Sequence, residues 1–120
     1  MKWYINKSNP ICPQVYEQIC VAIKNGEFKP NDKIYSVREL SLLIGVTPNT
    51  IQKSYELLSE EGIIYSVRGS GWFVSEKTNR ALEVVDSVKE KKVKEFLEKM
   101  LQIGVSEKEA LSYLEERIKK

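Results

Sequence analysis

The 120-residue chain contains no histidine. That absence removes the side chain that most often acts as a general base near neutral pH and the commonest metal ligand. It also removes every Ser/His or Cys/His nucleophile pairing. Cysteine is scarce: Cys12 and Cys20 stand eight residues apart, too far for a Cys-x-x-Cys redox motif and without companion ligands for zinc. A helix between them would hold their Cα atoms roughly 12 Å apart at 1.5 Å of rise per residue, beyond disulfide reach. Cys20 is expected to fill an apolar helix face as a small hydrophobe. No apolar run approaches bilayer-spanning length, and the opening MKWYINKSNP lacks the apolar stretch of a signal peptide. A cytoplasmic protein with no membrane partner is expected. Neither sign of charge dominates. The formal net charge of +2 says little about nucleic acid, and residues 1–76 balance acids against bases. The slight excess of Lys and Arg falls in residues 77–120, on an interleaved Lys/Glu stretch that reads as a solvated helical face.

What the chain does have is a succession of strong start and stop signals. Trp3, Tyr4 and Ile5 form a short arm. Pro10 and Pro13 then prepare a helix, since proline suits a first turn where its missing N–H is not required. Val15, Tyr16, Ile19, Cys20 and Ile23 recur at helical spacing until Gly26. Lys29-Pro30-Asn31-Asp32 is a turn in which Pro30 fixes φ and Asn31 tolerates a left-handed backbone. Ser36-Val37-Arg38-Glu39 has the capping-box pattern, with Val37, Leu40 and Ile44 on one face and Gly45 as the stop. Thr47 followed by Pro48 opens a second, longer helix. Its buried stripe is Ile51, Tyr55 and Leu58, and it ends at Gly62.

Residues Ile63 to Val67 and Trp72 to Ser75 alternate like two short strands around Arg68-Gly69-Ser70-Gly71. Helix, turn, longer helix and hairpin in that order are the layout of a winged helix-turn-helix. Beyond Glu76 the composition changes. Thr78 to about Gln102 reads as one long helix with an imperfect apolar stripe, Leu82, Val85, Val88, Phe96, Met100 and Ile103. Gly104 breaks it, Ser106-x-x-Glu109 is a further capping box, and Leu111, Leu114 and Ile118 line a last helix. The expected fold is mainly α with a small β-hairpin. A winged helix-turn-helix DNA-binding domain over 1–76 precedes a two-helix dimerisation tail over 77–120.

On the longer helix, the face opposite the stripe carries Pro48, Asn49, Gln52, Lys53 and Glu56. No acid occupies its first turns, where acids would favour the dipole. Asn49 and Gln52 suit adenine edges or phosphates, and Lys53 can reach a guanine edge or a phosphate. The same residues taken alone describe any solvated helix face; the helix before and the hairpin after favour a groove reader, with Thr47 and Thr50 beside it. Arg38, in the first turn of its helix, suits a phosphate clamp, against a competing ion pair with Glu39. Arg68, Gly69 and Ser70 make a hairpin turn whose glycines let a backbone come close to phosphate.

Residues 13–75 resemble the DNA-binding domain of the GntR family of bacterial transcription regulators. The resemblance rests on Gln14-Val15-Tyr16-Glu17-Gln18-Ile19, Gly26-Glu27-Phe28-Lys29-Pro30, Ser36-Val37-Arg38-Glu39-Leu40, Gly45-Val46-Thr47, Asn49-Thr50-Ile51, Glu61-Gly62-Ile63-Ile64 and Arg68-Gly69-Ser70-Gly71-Trp72-Phe73-Val74. It implies a homodimer on palindromic double-stranded DNA, with the family arginine at Arg38. Many members have arginine where Pro48 stands, so that contact does not carry over. The Pro-Asn-Thr variant is similar to the YtrA-like subfamily, whose members often repress operons for ABC transport systems. Asn31 and Tyr35 depart from the usual glycine and proline. A tail of roughly 45 residues is too short for the effector domains of other subfamilies. Its stripe can form a dimer seam or fold back on its own winged helix. No cofactor, catalytic residue or metal is implied, and no effector is identified. A winged helix that binds protein instead of DNA is the alternative; an enzyme would need a Ser/Lys or metal-carboxylate arrangement that the chain does not display.

Overall fold

A computed structural model describes residues 1–119. Five helices and one hairpin follow in the order α1 (Ile11–Lys24), α2 (Val37–Ile44), α3 (Pro48–Glu60), β1 (Ile64–Val67), β2 (Gly71–Val74), α4 (Asn79–Gln102) and α5 (Glu107–Lys119). The chain divides into two compact units, Met1–Val85 and Asp86–Lys120.

In the first unit, α1, α2 and α3 close around Val15, Ile19, Cys20, Leu40, Ile51, Tyr55 and Leu58, all fully buried. α2 begins where its polar punctuation directs. Ser36 Oγ accepts from Glu39 N (3.0 Å) while Glu39 Oε1 accepts from Ser36 N (2.9 Å), so the capping box forms in full. Gly45 then ends α2 in the left-handed region at φ 68°, where a Cβ would be strained. Thr47 stands at the N-cap of α3 but its side chain does not cap. Its Oγ1 instead lies 2.9 Å from Thr50 Oγ1, and Pro48 at the first helical position removes one N–H that would need a partner.

β1 and β2 pair antiparallel with Ile64 opposite Val74 and Val67 opposite Gly71. A third extended segment joins the free edge of β2: Asn31 N donates to Val74 O, Val74 N to Asp32 O and Ile34 N to Trp72 O, and Lys33 bridges Phe73. The sequence marks Lys29–Asp32 as a turn, and Asn31 does take φ 66°. The pairing that follows is carried by backbone groups alone.

The first unit, Met1–Val85, takes in the first turns of α4. Ala81 is buried in its core, and Val84 and Val85 pack against that core. Val85 therefore serves the winged-helix core, and the apolar stripe of α4 is split between two environments. Arg80 fastens this start, its guanidinium 2.8 Å from Glu61 and 3.1 Å from Glu83.

The second unit comprises the rest of α4 and α5, joined through Gly104 at φ 80°. Ser106 Oγ accepts from Glu109 N at 3.2 Å. Ala110 is fully buried on α5. Val93, Phe96, Leu97, Leu101, Leu111 and Leu114, with Glu107 and lysines and glutamates at the rim, line an open, mostly apolar trough along α4 and α5. Leu101 is 67% exposed and Ile103 73%, so this small unit leaves much of its apolar surface uncovered.

Candidate nucleic-acid interface

The reading helix α3 is fixed from several sides. Tyr55 Oη donates to Tyr35 O at 2.7 Å, and its ring meets Trp72 of the hairpin edge-on with centroids 5.5 Å apart. Ser54, fully buried, donates its Oγ–H to Cys12 O at 3.0 Å, joining α3 to the start of α1. These contacts consume one face of the helix. The other face is left outward: Pro48, Asn49 and Lys53 are exposed, and Thr50 and Gln52 are half-buried. No acid lies in the first turn of α3, so its N-terminal N–H groups and dipole favour an anion such as phosphate.

The predicted residues do not all stand equally free. Gln52 Nε2 donates to Glu56 Oε1 at 3.1 Å, which engages one N–H of its amide and leaves the other N–H and Oε1 for a base. Arg38 is exposed on α2, and Glu39 beside it is occupied with Ser36 rather than with Arg38. The Ser36 backbone N–H holds the Glu39 carboxyl below its ordinary range. Arg38 thus has no carboxylate within 4.0 Å among the described residues. Arg68, Gly69 and Ser70 form the exposed tip of the hairpin, closed by Ser70 N donating to Val67 O at 2.9 Å. Gly69 has φ 78° and open space where a Cβ would stand, so glycine is needed there for backbone conformation rather than for clearance.

Tail residues also divide. Leu82 is exposed, Val85 packs on the winged-helix core, and Val88 is half-buried. Phe96, Leu111 and Leu114 line the trough, and Met100 is half-buried. Both cysteines are free thiols. Burial pushes the Cys20 thiol up to about 12, which leaves it a packing group. No cluster of three or more His, Cys, Asp or Glu side chains suited to a metal ion occurs among the described residues. None of their helices is long and apolar enough to cross a membrane.

A helix-turn-helix whose second helix presents polar side chains, followed by a hairpin with a glycine tip, defines a winged-helix fold of the DNA-binding class. The chain belongs to the gntR family of bacterial regulatory proteins, whose sequence profile matches residues 13–74. It is 38% identical over 87% of its length, and 86% of the relative's, to the HTH-type transcriptional regulator YhcF of Bacillus subtilis. It is 43% identical to the transcriptional repressor YtrA of the same organism, over 62% of this chain and 58% of that protein. Among solved structures, a GntR family transcriptional regulator from Listeria monocytogenes superposes with a TM-score of 0.78 at 30% identity, covering 93% of this chain and 98% of that one. The AraR DNA-binding domain in complex with operator ORX1 matches 62% of this chain and 92% of its own, at 33% identity and a TM-score of 0.53.

Proposed function

We propose that this chain is a homodimeric transcriptional repressor that binds an inverted-repeat operator. Asn49, Gln52 and Lys53 read or anchor in the major groove. Arg38 and the Arg68–Ser70 tip hold the backbone. The observation that carries this reading is the outward, acid-free N-terminal end of α3, flanked by an unpaired Arg38. The AraR domain, a relative of this fold, is described in complex with an operator, and YtrA is described as a repressor. The exposed apolar trough between α4 and α5 supports self-association, because covering that surface in a second copy removes it from water. Two-fold symmetry then sets half-sites about 10–10.5 bp apart between centres. An operon for an ABC transport system is the target favoured by the YtrA-like resemblance.

Selection of bound duplexes from a random pool, coupled to light scattering, tests the proposal. The expected result is an enriched inverted repeat bound by a particle of twice the 13.9 kDa chain mass. Phe96→Lys with Leu111→Lys should shift the chain to monomer and weaken operator binding. A monomeric parent, or a pool that never converges, defeats this reading. The second outcome, combined with capture of a protein partner by the same face, would favour the protein-binding alternative.

A further inference from the structure

The first nine residues carry none of the motifs that define the reading surface, yet they are fastened to α1 of the same unit. Gln18 and Tyr4 exchange two hydrogen bonds, side-chain amide against backbone: Tyr4 N donates to Gln18 Oε1 and Gln18 Nε2 donates to Tyr4 O. Gln14 does the same for Asn6, with Asn6 N to Oε1 at 2.7 Å and Nε2 to Asn6 O at 2.9 Å. The same Nε2 also reaches Pro10 O at 2.9 Å. Trp3 and Ile5 pack against the core. The arm is therefore a strap laid along α1, and the turn that ends it, Asn6 to Asn9, is closed by Asn9 N donating to Asn6 O.

That turn places Lys7. Its Nζ lies 3.1 Å from the point a Cβ on Gly45 would occupy, over the turn of the helix-turn-helix. Gly45 is two residues before Thr47, the N-cap of α3, and so within about 8 Å of it along the chain. The Ser54–Cys12 bond independently holds this end of α1 against α3. A second lysine stands at the hairpin. Lys33, on the segment that pairs with β2, lays its Cε 3.0 Å and its Nζ 3.8 Å from the Cβ position of Gly71, the residue that closes the wing turn. Both side chains are exposed, and neither has a carboxylate within 4.0 Å among the described residues. The acids near Lys33 are also engaged elsewhere: Asp32 Oδ2 accepts from Lys29 N, and Glu39, which lines the same depression and feels the charge of Lys33, accepts from Ser36 N.

We propose that Lys7 and Lys33 are further phosphate-contacting residues, extending the DNA interface beyond the recognition helix and the wing tip at the helix-turn-helix turn and at the wing base. The inference rests on the DNA-binding reading above. A flexible ammonium suits this role, since it acts as a point charge on whichever phosphate oxygen comes within reach. It adds affinity without reading sequence. Glycine at both underlying positions is called for by the backbone, at φ 68° and 135°, and a Cβ there would meet only the flexible end of a lysine, Nζ of Lys7 or Cε of Lys33.

The test measures the dependence of operator affinity on salt for the full-length parent, Lys7→Gln, Lys33→Gln and the double variant. Lys24→Gln, at the far end of α1, serves as the control. The duplex is the one the parent selects from a random pool. Each neutralised phosphate contact contributes about 0.9 to the slope of log affinity against log salt. In the dimer each substitution removes two such contacts, so each single variant should flatten that slope by about two, and the double variant by about four. Ranking among operator mutants and melting temperature should stay as in the parent. Lys7→Arg and Lys33→Arg should restore the slope. Lysine variants that keep the parental slope while the parent binds its operator overturn this inference alone. A change shared by Lys24→Gln, or confined to melting temperature, also overturns it. A parent that selects no duplex overturns the DNA-binding reading and this inference together.

Discussion

The hydroxyl of Tyr55 donates a 2.7 Å hydrogen bond to the carbonyl of Tyr35. Tyr55 is fully buried, so one bond both satisfies a phenol inside the core and ties the recognition helix to the segment that enters α2. Tyr55→Phe keeps the ring against Trp72 and deletes the donor. It should cost about 0.5–1.5 kcal/mol, the net worth of a typical internal hydrogen bond, read as a lower urea midpoint with an unchanged m-value. A variant as stable as the parent would show that Tyr35 O finds another donor.

Ser36→Ala removes the oxygen that receives Glu39 N and opens the capping box. A loss of about 1 kcal/mol is expected, which corresponds to a melting point lower by roughly 4–8 °C for a domain of this size. The ordinary Ser36 N–H remains, so Glu39 can still hold it and Arg38 stays free. Operator affinity corrected for unfolded fraction should therefore change little.

Alkaline pH should unfold the protein through its buried acids. The Cys20 thiol sits at about 12 because burial disfavours the thiolate, and Tyr55 is raised for the same reason. In the unfolded chain the thiol titrates near 9.0, so across that interval the native state holds more protons and stability falls as pH rises. The stability Cys20 contributes is complete below pH 9 and declines between about 9 and 12, while that of Tyr55 begins to decline only above 10.0. Urea titrations from pH 7 to 11 should show this decline, and Cys20→Ala should show a shallower one from a lower starting value. Cys20 should also react slowly with a disulfide reagent until the chain unfolds.

Lys53→Ala and Arg68→Ala probe the two halves of the interface. If Lys53 meets a base edge, its loss should cost about 1–3 kcal/mol and relax preference at one operator position. Arg68→Ala should weaken all duplexes alike and flatten the salt dependence. Two variants that bind a selected operator as tightly as the parent would sink the assignment of α3 and the wing tip.

Much of the first unit was legible because its boundaries depend on short-range chemistry. Ser36 with Glu39 and Gly45 place α2, Thr47-Pro48 starts α3, and Ile51, Tyr55 and Leu58 declare its buried face by spacing alone. Other contacts lack any such period. The amide bonds of Gln14 and Gln18 to the arm, and the pairing of residues 31–34 with β2, join groups that no sequence pattern links. The tail shows the same limit: Leu82 and Val85 share a stripe with Phe96 and Met100, yet Ala81, Val84 and Val85 are drawn into the winged-helix core. Residues that belong to motifs, Arg38 and Arg68 among them, could be singled out directly. Lys7 and Lys33 could not, because their significance lies in which glycines they cover.

Gln14 is a single neutral amide that donates to the carbonyls of Asn6 and Pro10 while accepting from Asn6 N. Only a group with a donor at one end and an acceptor at the other can hold the arm this way. Hydrolysis of that amide to a carboxylate would turn its donating end into a second acceptor facing carbonyl oxygens. Slow deamidation at one side chain would thus loosen the N-terminal strap in an ageing molecule, with the three-helix core left intact.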